Sequence, residues 1–185
     1  MDNNFVHIRG TVRDINPKGF IVDCKRTSGL TDKFFIRCYA PVIHNVDIGQ
    51  KIEANGVLKT FNCKDTGEKK TYIEASSLMS GELISRLDDE QTVELTGTLC
   101  KKGELHITKK GATVFGFALA VNESDTKSYY PQCVCWGATA SIAQTFAVGT
   151  RVKLVGRLQR RGYEKDGKKK HTYEVSCFSL EVLTK

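Results

Sequence analysis

IGQKIEANGVL (residues 48–58) and VGTRVKLVGRL (148–158) are two versions of one segment. Ile48/Val148, Gly49/Gly149, Ile52/Val152, Gly56/Gly156 and Leu58/Leu158 all share an offset of 100. In the second version Val152, Leu154, Gly156 and Leu158 alternate with Lys153, Val155, Arg157 and Gln159. That period of two is the mark of a strand with one apolar and one outward face.

The match extends in both directions. Upstream, VHIRGTV (6–12) and VELTGTL (93–99) carry a Gly-Thr pair at the same place. Downstream, CKDTGEKKTYIEASSL (63–78) and YEKDGKKKHTYEVSCFSL (163–180) each give a turn-rich basic loop and a last strand. Three matches in one order predict a duplicated domain. The acidic, polar stretch MSGELISRLDDEQ (79–91) reads as a connector with one helical turn. The expected organisation is a first domain at 3–79, a linker at 80–91 and a second domain at 92–184.

Each copy is predicted to be all-β. The one convincing helix is ATASIAQTFA (138–147), placed between the third and fourth strands of the second copy and ending near Gly149. The first copy has only PVIHNVD (41–47) there, enough for a turn. Five strands with a helix after the third make the oligonucleotide-binding (OB) fold, a Greek-key barrel. The fold class is therefore two tandem OB-fold barrels, the second with a short helix between strands 3 and 4.

Composition narrows the class of function. The chain of 185 residues is 40% hydrophobic and carries a net charge of +7, which favours a polyanionic partner. Residues 1–85 hold 12 Lys+Arg against 10 Asp+Glu, and residues 86–185 hold 16 against 11, so the excess lies in the second half. No apolar run is long enough to span a membrane, and the N-terminus lacks a signal-peptide pattern, so a soluble, cytoplasmic protein is expected. The seven cysteines include a lone C-x-C at Cys133 and Cys135, with no second pair or His to complete a zinc site. They read as reduced structural residues, with no metal and no cofactor implied. Metal-assisted cleavage needs clustered carboxylates. Asp88, Asp89 and Glu90 lie in the connector instead, so the chain is not read as an enzyme.

The segments GFALAVN (116–122), CWG (135–137) with the helix that follows, and VGRLQRRGYEKDGKKKHTYEV (155–175) resemble the bacterial single-stranded DNA-binding protein family across 92–183. The first half matches at fold level only. The resemblance implies binding of single-stranded DNA in replication, recombination or repair, and it aligns the family's stacking aromatics with Tyr130, Trp136 and Tyr163. A further aromatic position falls near Asp125 and is lost here.

The residues support that implication. Sequence-tolerant binding of single strands needs aromatic platforms for bases and cations along the backbone path. Tyr130, Gln132, Val134 and Trp136 share one strand face, opposite Cys133 and Cys135. Lys153, Arg157, Arg161 and Tyr163 share the outward face of the next strand. Lys168, Lys169 and Lys170 follow in a hairpin that would wrap the strand, and Lys109 and Lys110 sit in the turn before Gly111. His106 and His171 read as surface residues without chemistry. In the first copy Tyr39 takes the place of Trp136, with Arg37 on the same face; Cys63 falls where Tyr163 would be, with Phe61, Lys69 and Lys70 nearby. That copy either binds weakly or serves as a dimerisation partner.

Two alternatives stand beside this reading. One is an RNA-binding or primosomal accessory protein on the same barrel; the other is a structural subunit that binds protein partners. The resemblance also implies four barrels per assembly, hence a homodimer of this duplicated chain. The chain stops at SLEVLTK (179–185) without the family's acidic tip, so the recruiting role of that tip is not expected here.

Overall fold

The computed structural model describes residues 1–38, 45–64, 67–165 and 167–184, without the side chains of Lys165, Lys168 and Lys169. The chain divides into two compact units. One holds Phe5–Lys59 and Thr71–Thr92; the other holds Met1–Asn4, Thr60–Lys70 and Val93–Lys185.

The first copy contributes β1 (Asn4–Asn16), β2 (Gly19–Lys25), β3 (Thr31–Arg37), β4 (Lys51–Asn62) and β5 (Lys69–Ser80). β1 pairs antiparallel with β2 and β4, β2 with β3, and β3 runs parallel to β5, which neighbours β4. The five strands thus close on themselves. After α1 (Glu82–Ser85) the second copy contributes β6 (Glu90–Ile107), β7 (Thr113–Ser124), β8 (Lys127–Tyr129), β9 (Gln132–Trp136), α2 (Gly137–Ala143), β10 (Arg151–Lys165) and β11 (Lys168–Val182). β6 pairs with β7 and β10, β10 with β11, β11 parallel with β9, and β9 with β7. This barrel closes in the same order, with α2 between its third and fourth barrel strands, so the tandem OB-fold reading holds.

The duplicated segments occupy equivalent places. β1 meets β4 from Val6↔Gly56 to Thr11↔Lys51, and β6 meets β10 from Val93↔Gly156 to Thr98↔Arg151. In the first barrel Val12 N donates to Gln50 O at 2.9 Å and Gly49 N to Val12 O at 2.8 Å; in the second Leu99 N donates to Thr150 O at 2.9 Å and Gly149 N to Leu99 O at 2.8 Å. Glycine is required where strands cross. A Cβ on Gly56 would lie 2.1 Å from Glu74 O, and one on Gly156 would lie 2.3 Å from Ser176 O. Inward residues such as Phe20, Phe34 and Ile52, or Phe115, Leu119 and Leu154, fill the two cores.

Residues 81–92 pack on the first barrel. Ile84 of α1 is buried, Lys51 Nζ pairs with Asp89 at 2.8 Å, and Asp89 accepts a hydrogen bond from Lys25 N at 2.8 Å. α2 is shorter than the sequence suggests. Thr145 Oγ1 donates back to Ile142 O at 2.7 Å, and Thr145 N and Phe146 N bond three residues back, so the chain tightens at 145–146 and the helix stops at Ala143. β8 was not expected. It pairs with β7 and is separated from β9 by Pro131, which has no N–H to extend the strand.

Candidate nucleic-acid interface

On β9 the alternation places Cys133 and Cys135 inside the barrel and leaves Trp136 42% exposed at the junction with α2. Tyr163, 37% exposed, sits on β10 opposite Lys170 of β11. Both aromatics line a groove of about 550 Å³ that runs over β7, β9 and the two long hairpins of this barrel. Lys101, His106 and Arg161 also line it, as does Glu174.

Strand register sets the floor. Gln159 lies opposite Glu174, and Val175 opposite Cys133, so Gln159, Glu174 and Gln132 form one outward row across β10, β11 and β9. Glu174 is buried; its Oε1 accepts from Gln159 Nε2 at 2.9 Å and its Oε2 pairs with Arg161 Nε at 3.2 Å. Lys102 is tied back by a 2.5 Å hydrogen bond to Gln144 O, with its ammonium 5.9 Å from the Phe115 ring centre.

The other anticipated residues sit around this groove. Lys109 and Lys110 are exposed in the β6–β7 turn, which Gly111 N closes on Thr108 O at 2.8 Å. Tyr130 is 46% exposed; its N–H donates to Thr60 Oγ1 at 2.8 Å and its carbonyl accepts from Lys69 Nζ at 3.0 Å. Lys170 Nζ pairs with Glu68 at 2.6 Å, and hydrogen bonds from Lys170 and then Lys70 hold the Glu68 carboxyl below its usual range. Burial lowers the pKa of Lys69.

Lys153 and Arg157 do not line the groove. Lys153 lies eight residues before Arg161, about 26 Å along the strand. Arg157 sits with its guanidinium 6.0 Å from the Phe178 ring centre. One outward strand face therefore serves two different surfaces. Arg37 is exposed at the end of β3. Tyr39, residues 41–44 of PVIHNVD, and the side chains of Lys168 and Lys169 lie outside the described residues.

Lys101 and Glu174 were not singled out from sequence, Gln132 was only placed on the outward face beside Tyr130 and Trp136, and His106, read as a surface residue without chemistry, also lines the groove. The β6–β7 ladder shifts register between Leu99 and Lys101 and again between Lys102 and Leu105, so parity counted from VELTGTL no longer says which face a residue takes. For Gln132 the signal was present, because it is half-buried beside buried Cys133 on β9; Glu174 lies in a run of buried residues, 174–177, where alternation gives no such sign.

Burial pushes the Cys133 thiol well above its ordinary value; contact with Cys177, then burial, does the same to Cys135. Cys24, in the first barrel, is pushed up to about 12 mainly by burial. These thiols stay protonated at neutral pH and fill core space. Among the described residues no three His, Cys, Asp or Glu side chains gather to hold a metal, and no helix is long and apolar enough to cross a membrane.

The Single-strand binding protein family matches residues 90–183. Single-stranded DNA-binding protein 2 of Listeria innocua serovar 6a is 37% identical over 99 residues, covering 49% of this chain and 62% of that protein. Single-stranded DNA-binding protein A of Bacillus subtilis is 35% identical over 99 residues, covering 49% and 58%. The matched part is thus about three-fifths of those relatives' length. The wild-type single-stranded DNA binding protein from Thermus aquaticus superposes with a TM-score of 0.81 at 20% identity, covering 100% of this chain and 94% of that one. That likeness shows the fold and, unlike the sequence matches, extends over the first copy.

Proposed function

The chain belongs to the single-strand binding protein family, and from that premise we propose that it binds single-stranded DNA with broad sequence tolerance, without covalent chemistry. The observation that carries the proposal is the groove of the second barrel, which joins two half-exposed aromatics, Trp136 and Tyr163, to Lys101 and Arg161. Bases stack on the rings, at ~1–3 kcal/mol each. The cations neutralise phosphates and release counterions.

Trp136, Tyr163 and Arg161 form the inner contacts. Tyr130, Lys109, Lys110 and Lys168–Lys170 extend the path, Lys153 and Arg157 serve a longer strand, and Arg37 and Tyr39 are the contacts of the first copy. The working parts are an OB domain at 3–79, a joining segment at 80–91 and the main binding domain at 92–184. The protein acts in the cytoplasm on strands exposed in replication, recombination or repair.

Two chains form a homodimer of four barrels, about 41 kDa from the 20.6 kDa chain. A closed two-fold pair is the commonest way for identical chains to assemble. Light scattering during size exclusion tests this: a mass near one chain refutes the dimer.

Titration of labelled single- and double-stranded oligonucleotides across a salt series tests the binding itself. Tight single-strand binding that weakens linearly in log salt is expected; equal or stronger duplex binding contradicts it.

A further inference from the structure

One carboxylate at the tip of the β4–β5 hairpin already holds two cations together. Glu68 Oε1 accepts from Lys170 Nζ at 2.6 Å, and its Oε2 accepts from Lys70 Nζ at 3.4 Å. Lys70 belongs to β5 of the first copy and Lys170 to β11 of the second. Their ammonium groups therefore stand within reach of one anion that has two oxygens. A phosphodiester also presents two oxygens that share a negative charge, and lysine meets either group as a point charge.

The trio sits beside the groove. Lys170 lies opposite Tyr163, and partners in an antiparallel pair share a face. Tyr163 lines the groove, as does Arg161 two residues before it. The hairpin tip is fixed there as part of the second barrel's compact unit, which includes Thr60–Lys70. Thr60 Oγ1 accepts from Tyr130 N at 2.8 Å, and Lys69 Nζ donates to Tyr130 O at 3.0 Å. The Glu68 carboxyl, held below its ordinary range by Lys170 and then Lys70, shows that the pair favours an anion between them.

That anion is replaceable. The side chains of Glu68, Lys170 and Lys70 are 32%, 31% and 51% exposed. Ion pairs open to water to that degree are weak and screened by salt. A polyanion that releases its own counterions on binding competes well for such cations.

On this basis, and resting on the single-stranded DNA reading above, we infer that Lys70 and Lys170 form a phosphate subsite built from both copies, with Glu68 as its internal stand-in. A strand passing Tyr163 sets a phosphodiester on the two ammonium groups, and the carboxylate turns out into water. The first copy thereby lends a cation to the path of the second.

The test titrates the full chain with oligo-dT across a salt series, for wild type, Glu68→Gln, Lys70→Ala and Glu82→Gln. Glutamine keeps the shape of Glu68 and removes its charge; Glu82→Gln makes the same change of charge on α1, away from the trio. Glu68→Gln is expected to bind about threefold or more tighter than wild type, with a slope of log K against log salt steeper by up to ~0.7. Lys70→Ala weakens binding by a similar factor and flattens the slope, and Glu82→Gln stays within about twofold of wild type. A Glu68→Gln protein that binds no tighter than wild type overturns the inference, because Glu68 then only ties two hairpins together. Equal gains from Glu68→Gln and Glu82→Gln also overturn it, because the effect is then one of net charge. Should Glu68→Gln fail to fold, Lys70→Ala decides alone, and an unchanged affinity and slope overturn the subsite. Failure of wild type to bind any oligomer overturns the single-stranded DNA reading as well; wild-type binding with indifferent variants overturns this inference alone.

Discussion

At the level of Gly56 and Gly156 the two barrels are interchangeable: the same strand crossing, the same close approach to a backbone carbonyl, the same turn hydrogen bonds around Gly49 and Gly149. A few residues along β10 the likeness ends. Where the second copy carries Tyr163 on its outward face, the first carries Cys63, and where the second has Arg161, the first has Phe61. Inward positions and glycines, which close a barrel, were kept through the duplication. Outward positions were not. Fold and function are written on opposite faces of the same strands.

The largest expected effect tests the shared framework. Gly156→Val and Gly56→Val each drive a side chain into a main-chain carbonyl, and each should cost about 3 kcal/mol or more. Gly149→Ala meets open space but holds φ at +96°, and should cost only about 1–2 kcal/mol. Urea denaturation of the three variants checks the order, and a Gly156→Val protein as stable as wild type would break the equivalence of the crossings.

Next comes the divergent face. Trp136→Ala should weaken binding of a short single strand by about 1–3 kcal/mol. Arg37→Ala in the first copy should change it by less than about 0.5 kcal/mol, as expected of an exposed position outside the second barrel. Fluorescence anisotropy with a labelled oligomer measures both, and equal losses would make the copies functionally alike.

Much of this was legible in the residues. The offset of 100 fixed which strands correspond, and alternation along 152–158 assigned inward and outward positions correctly, with 151–156 pairing with β6 without interruption. Trp136 opposite two cysteines was placed on the outer face for the same reason. What could not be read depends on register and distance. Bulges in β6 hid Lys101 and the place of His106 in the groove, and a strand-length argument was needed to see that Lys153 and Arg161 share a face but not a surface. Glu174 looks in sequence like one more outward charge. Only the cross-strand row shows it on the groove floor.

A smaller effect separates inner from outer cations. Arg161→Ala should flatten the slope of log K against log salt by ~0.7 on a short oligomer. Lys153→Ala should leave that slope unchanged and act only on longer strands. A short-oligomer slope that responds equally to both would place Lys153 in the groove after all.

The smallest effect concerns Glu68. Its folded-state pKa is depressed by Lys170 and Lys70, so the pairing stabilises the fold above the ordinary carboxylate range and is lost as pH falls through the depressed value. Carbon-detected NMR titration should show the Glu68 carboxyl titrating below 4.5, and Lys170→Ala should move it back toward that value.

Because Trp136 is the single tryptophan of the chain, its emission reports on the groove without any label. Titration of the full chain with oligo-dT at low salt should quench that emission strongly and saturably, with Trp136 as the stacking platform of the second barrel. Emission unchanged at saturating DNA would show that bases do not reach Trp136 and that the strand binds elsewhere.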